Sequence, residues 1–297
     1  MISSVFITGG GGFIAPHLIS ALHSHDVFVQ LRRTSARTPG ELPANCKVLR
    51  HDLSDSLLIT RLSAKVDTVI HLAGAVNTSS ALDLVDANVV TTSAVLDLMT
   101  KLRVPHLVFL STAAVWSGTT GSQIDELTPP SPNTPYGFAK LAAEALVVDA
   151  VSQGRIASAT ILRCNNTYGL GSRQGVIANF LRRILAQEPV QIDGDGMQLR
   201  EPLYVADLVK LLIKASAESS GLQVYGISGP QAMTVCDMAR LVAEVAGREL
   251  HLEWVAERSD RSRHLLISTS KVQANLGWNP STLLRDGLHD MLSVKNV

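Results

Sequence analysis

The sequence predicts a doubly wound α/β fold: a mostly parallel sheet with helices on both faces, followed by a smaller C-terminal region. Three observations carry the prediction. Short β-branched runs recur along the first half of the chain. Segments of helical periodicity separate them. Four successive glycines close the first run. The runs are Val5–Thr8, Val27–Leu31, Lys47–Leu49, Thr68–Leu72, Leu107–Leu110 and Ser158–Leu162. Between the first two, Ile14, Leu18, Ile19 and Leu22 share one helical face. Runs that are apolar throughout belong to strands covered on both sides, and strand–helix alternation winds such strands into one parallel sheet. Beyond Arg163 the rhythm changes, with turn-rich stretches at Gly169–Gly175, Asp193–Gly196 and Gly226–Gly229. The expected division is residues 1–165 for the sheet domain and 166–297 for a smaller region, with crossovers of the chain back to the sheet.

Composition narrows the function classes. Hydrophobic residues make up 46% and charged residues 18% of the 297, the balance of a compact globule rather than a disordered chain. Lys+Arg and Asp+Glu are both 26, so there is no basic excess to serve a nucleic-acid backbone or an anionic membrane. No apolar run reaches bilayer length, and MISSVFITGG lacks the basic-then-apolar pattern of a secretory leader. The three cysteines, Cys46, Cys164 and Cys236, form no CxxC pair. A cytoplasmic, reducing location is the expectation. The nine histidines show no ligand spacing, so no metal is expected.

The glycine cluster is the first chemical signal. Thr8–Ala15 reads TGGGGFIA, after a strand and before a helix, the context of a dinucleotide loop. Gly9 would permit the tight turn, and Gly12 a close approach of backbone to a pyrophosphate. The helix starting near Phe13 would aim its N–H groups at that anion. The third small position is Ala15, which still allows helix and strand to pack closely. A bare turn is the bland alternative. NAD binders carry an acid at the end of the second strand for the ribose hydroxyls. Here Leu31, Arg32 and Arg33 stand there, and guanidinium pairs well with phosphate. This favours NADP over NAD, unless the pair is simply a solvated strand end. Asp52, after the third strand, would either receive the adenine amino group or cap the helix near Ser54.

Tyr136 and Lys140 lie four apart in YGFAK, at the start of a helical stretch ending near Gly154. Positions i and i+4 share a helix face. An ammonium beside a phenol favours the phenolate, and a tyrosine so placed can exchange a proton while hydride moves. A surface pair is the alternative. Thr112, at the end of the hydroxyl-bearing run FLSTAAVW, would hold a substrate oxygen against Tyr136. Ser111 is its neighbour, and alternation along a strand lets only one of the two face the site.

With the glycine loop, the hydroxyl strand and YGFAK in this order, the chain resembles the extended short-chain dehydrogenase/reductase family. It is most similar to that family's nucleotide-sugar epimerase/dehydratase/reductase group. The resemblance runs from Val5 to about Pro280. It takes in His71–Gly74 (HLAG), Asn88, Leu162–Gly169 (LRCNNTYG), Gly194–Leu208 and Ser270–Pro280. It implies a Rossmann domain binding NAD(P) over residues 1–165 and a substrate region over 166–297. It implies a triad of Thr112, Tyr136 and Lys140, with Lys140 also on the nicotinamide ribose. Gly9, Gly12, Phe13 and Ile14 would hold the pyrophosphate. Leu31, Arg32 and Arg33 would flank the adenosine ribose, and Asp52 and Leu53 the adenine. Leu72, Ala73 and Asn88 would line the path to the nicotinamide. Arg163, Asn166, Arg200 and Arg258 would meet a nucleotide-diphosphate sugar. A homodimer is implied by analogy, through Asn88–Arg103 and Leu141–Val151.

The departures sharpen the expectation. Dehydratases of the group carry Thr-Asp-Glu after the hydroxyl strand; here Ala113 and Ala114 follow Thr112, against water elimination. Val115–Trp116–Ser117 replaces Val-Tyr-Gly, Glu201–Pro202 replaces Asp-Phe, and Ser268 stands for an acid. The expected activity is hydride transfer at a sugar carbon, C4, by a 4-ketoreductase or a 4-epimerase. Two rivals stand beside it: a non-catalytic NADP-binding sensor or scaffold, and a dehydrogenase of a non-sugar alcohol. The retained Tyr136 and Lys140 weigh against the first, and the Arg200 and Arg258 matches against the second.

Overall fold

The computed structural model describes residues 3–35, 42–62, 66–119, 123–218, 220–256 and 265–293. The chain divides into two compact units. One comprises residues 1–115, 134–163 and 209–225, the other 116–133, 164–208 and 226–297.

The first unit is built on a sheet that has seven strands among the described residues. β1 (Ser4–Thr8), β2 (Asp26–Leu31), β3 (Cys46–Arg50), β4 (Thr68–His71), β5 (His106–Thr112) and β6 (Ser158–Cys164) are joined by Leu222–Ile227. Their spatial order is Leu222–Ile227, β6, β5, β4, β1, β2, β3. β1 runs parallel to both β2 and β4, β2 to β3, and β4 to β5. The order reverses at β1, and in such sheets ligands bind beyond the carboxyl ends of the strands at the reversal.

Helices follow the strands. They are α1 (Ile14–Ala21), α2 (Ser56–Arg61), α3 (Ala81–Val85), α4 (Thr91–Leu102) and α5 (Pro135–Ser152). Between α3 and α4, Asp86–Val90 winds as a π-helical turn, a local irregularity that often marks a functional site. α5 is well started. The Thr134 side chain accepts from the Gly137 N–H, and Pro135 occupies the first turn, where a missing N–H costs little. α2, α4 and α5 deliver Leu58, Val95, Met99, Ala143 and Val147 against Phe6, Phe28, Val69, Leu107 and Phe109 of the sheet. Burial of side chains this size contributes roughly 1.5–3 kcal/mol each.

In the second unit, Val190–Asp193 pairs in parallel with Leu252–Val255. Leu199–Arg200 runs antiparallel to Met233–Thr234. The Asp207 carboxylate accepts from the N–H groups of Ser281 and Thr282 at 3.0 and 2.8 Å. The Trp278 indole N–H donates to the Asp207 carbonyl at 2.9 Å. No described helix is long and apolar enough to cross a membrane.

Candidate active site

A cleft of about 590 Å³ opens at the carboxyl ends of the first unit's strands. Gly9–Gly12 form one wall and Leu72–Ala75 another, with Ala87, Val90 and Thr91 beyond them. Leu31, Arg32, Thr34, Ser35, Asp52 and Leu53 line the end reached by β2 and β3.

The glycine wall admits no side chains where it matters. Gly9 has φ +74°, and a Cβ on it would stand 2.7 Å from the Ala73 nitrogen. A Cβ on Gly10 would stand 2.2 Å from Val29 Cγ1. Gln30 brackets the loop from below. Its carbonyl accepts from the Gly10 N–H at 3.0 Å and its side-chain oxygen from the Gly9 N–H at 3.3 Å. Its amide donates to the His51 carbonyl at 2.7 Å. Gln30 and Gly10 were not among the expected site residues. The signal for Gln30 was a lone amide in an apolar run.

The expected residues separate. Gly9, Gly12, Leu31, Arg32, Asp52, Leu53, Leu72 and Ala73 line the cleft, whereas Phe13, Ile14, Arg33, Asn88, Tyr136 and Lys140 are not among its lining residues. Phe13 lies edge-on to His17 just before α1. The Arg33 guanidinium donates to the Asp55 carboxylate. Asp55, not Asp52, caps α2 by accepting from the Leu57 N–H, and His51, then that N–H and Arg33, hold its carboxyl down at about 2. Of the two arginines Arg32 lines the cleft, as do Thr34 and Ser35.

Asn88, in the π-helical turn, is 1% exposed. Its amide N–H groups donate to the Ala75 and Leu84 carbonyls, both at 2.9 Å. Its Oδ1 is left without a partner, and a Cβ on Gly74 would lie 2.7 Å from it. A buried acceptor without a donor is costly. Together with a wall only glycine can form, it fits a cleft shaped for a polar ligand such as a dinucleotide.

Lys140 and Tyr136 occupy the first turns of α5. Tyr136 is half-buried; Lys140 is 4% exposed. The Lys140 ammonium donates to the Leu110 carbonyl at 2.8 Å and lies 4.1 Å above the Phe109 ring centre. Burial pulls the amine down to about 7, with the Glu144 carboxylate pushing back. The two hydroxyls of β5 take opposite roles. Ser111 is buried and donates to Glu144. Thr112, half-buried at the strand's end, accepts from the Ala114 N–H at 3.1 Å.

Arg163 is also in the interior. Its guanidinium grips Glu144 through two nitrogens, at 3.1 and 2.7 Å. This is a structural use of a residue expected to meet the substrate. In the second unit, Asn166 is exposed and Arg200 half-buried, with one guanidinium nitrogen on the Leu199 carbonyl at 2.7 Å. Arg258 lies outside the described residues.

The chain is similar to known proteins over most of its length. The model of the NAD dependent epimerase/dehydratase family matches residues 5–227. A dTDP-glucose 4,6-dehydratase of Actinoplanes sp. is 26% identical over 97% of this chain and 96% of its own. Two solved structures superpose with TM-scores of 0.88. One, MoeE5 in complex with UDP-glucuronic acid and NAD, is 28% identical and covers 98% of each chain. The other, UDP-glucose 4-epimerase of Thermotoga maritima with UDP-glucose, is 25% identical over 98% of this chain and 97% of its own.

Proposed function

The chain belongs to the NAD-dependent epimerase/dehydratase family, and from that premise we propose that it transfers hydride at C4 of a nucleotide-diphosphate sugar, with Thr112, Tyr136 and Lys140 as its catalytic groups. The observation that carries the reading is the buried Lys140 amine one helical turn from Tyr136. In its protonated form the amine favours loss of the phenol proton. Tyr136 exchanges a proton with the substrate hydroxyl, and Thr112 holds that oxygen in place. Lys140 is itself aimed by the Leu110 carbonyl and the Phe109 ring. When bound, a nicotinamide would supply hydride acceptance and donation. Gly9 and Gly12 would take its pyrophosphate, Leu72, Ala73 and Asn88 the nicotinamide end, and Asp52 and Leu53 the adenine.

Two versions follow from two observations. Arg32 lines the ribose end of the cleft where an acid would serve NAD, which favours NADPH and a 4-ketoreductase. MoeE5, 28% identical, holds NAD, which favours resident NAD and a 4-epimerase. Ala113 and Ala114 after Thr112 weigh against dehydration. Asn166, Arg200 and Arg258 are proposed to hold the nucleotide diphosphate, since guanidinium pairs bidentately with phosphate; Arg163, spent on Glu144, is not. We propose a cytoplasmic protein and, by analogy with the family, a homodimer through Asn88–Arg103 and Leu141–Val151.

The test is to denature the purified protein and identify any nicotinamide released, then titrate the emptied protein with NADH and NADPH. Stoichiometric NAD selects the epimerase. An empty protein preferring NADPH selects the reductase. Binding of neither overturns the proposal.

A further inference from the structure

His71 is fully buried at the end of β4, and none of the roles above uses it. The sheet register places it in one row with Thr8 of β1 and Phe109 of β5. Four polar contacts run through this row. The Ala73 N–H donates to Thr8 Oγ1 at 3.2 Å. Thr8 Oγ1 and His71 Nδ1 are 2.6 Å apart. His71 Nε2 and Thr92 Oγ1 are 3.0 Å apart. The Thr92 hydroxyl donates to the Asn88 carbonyl at 2.6 Å.

Those contacts fix the protons. A carbonyl only accepts, so the single Thr92 hydroxyl hydrogen goes to Asn88. Toward His71, Thr92 can then only accept, and Nε2 must carry the hydrogen. Burial, with Lys140 nearby, pulls the imidazole down to about 3, so the ring is neutral. Nδ1 is therefore bare and accepts from Thr8, whose oxygen accepts from Ala73. Each donor in the chain has one acceptor. A further contact is between rings: the His71 ring packs on Phe109 at 5.5 Å, and Phe109 carries the Lys140 ammonium on its own ring.

We propose that His71 is a positioning residue. Held as the neutral Nε2–H tautomer, it ties the strand end that launches the glycine loop to the π-helical turn carrying Asn88, and so sets the spacing between opposite walls of the cleft. Thr8 leads into Gly9, Ala73 is itself a cleft residue, and Thr92 adjoins Thr91 on the far wall. The proposal rests on the reading that this cleft holds the nicotinamide dinucleotide.

The test compares Thr92→Val, which keeps the shape and removes the acceptor, with Thr92→Ser, which restores the hydroxyl. An unpaired buried N–H should weaken binding of the preferred cofactor by about tenfold or more in Thr92→Val. Thr92→Ser should stay within about twofold of wild type. Ring-nitrogen NMR of the cofactor-free wild-type protein should show a non-titrating Nε2–H tautomer at His71, told apart from His106 by a His106→Gln sample. This readout does not depend on any variant at Thr92 folding. An Nδ1–H tautomer overturns the proposal, as does Thr92→Val binding cofactor as tightly as wild type. Wild-type protein that binds neither cofactor fails the dinucleotide reading instead, whatever the tautomer.

Discussion

At the scale of single residues, the site works by taking a charge out of water and then compensating it in part. Lys140 sits under α5 with one carbonyl, one aromatic face and the nearby Glu144 carboxylate for company. Glu144 is in turn claimed by Arg163 and Ser111. Breaking a buried pair of this kind from one side costs about 3–5 kcal/mol, so turning Arg163 from Glu144 to a ligand would carry that cost. The depressed Lys140 amine has a consequence for stability. Between about 7 in the folded chain and 10.5 unfolded, the unfolded state binds the extra proton, so stability should rise with pH across that window. Below it the cost of the buried charge is present in full. Urea unfolding at the two ends of the window checks this: the climb should be present in wild type and flatter in Lys140→Met. Equal climbs in both proteins would mean that Lys140 is not desolvated as described.

At the scale of elements, the glycine loop, β4 and the π-helical turn form one device. Gly9→Ala tests the loop. It asks for a left-handed φ from alanine and drives a Cβ to 2.7 Å from the Ala73 backbone. Strain of this type costs about 1–3 kcal/mol. The variant should unfold at lower urea and bind cofactor weakly, whereas Gly154→Ala should lose only stability. At Gly154 φ is +67°, but nothing lies within 4 Å of a Cβ. Equal cofactor binding by the two would detach the loop from the site.

Much of this device was legible in the chain. β1, β2, β4 and β5 announced themselves as apolar runs because strands buried on both faces need no alternation. YGFAK placed Tyr136 and Lys140 on one helical face. Leu222–Ile227 escaped notice because LQVYGI is short and follows a turn at Gly221, so nothing local marks it as part of the sheet. The π-helical turn was invisible because DANVV differs from ordinary helix only in where its carbonyls point. The choice between Ser111 and Thr112 needed Glu144 in place. The fate of Arg33 needed Asp55, which lies 22 residues away in the chain.

At the scale of the whole molecule, the proposed chemistry falls in the first unit, and the residues proposed to recognise the sugar nucleotide fall in the second. Every residue proposed to hold the dinucleotide, and all three catalytic groups, belong to residues 1–115 and 134–163. Cofactor binding and proton transfer should therefore be separable by mutation. Tyr136→Phe measures that separation most directly. Cofactor affinity is titrated alongside turnover of nucleotide-diphosphate sugars and their 4-keto forms. The variant should bind the preferred nicotinamide cofactor as wild type does and lose turnover by at least about a hundredfold, the usual worth of a positioned acid–base group. Full turnover by Tyr136→Phe would contradict the proposed chemistry.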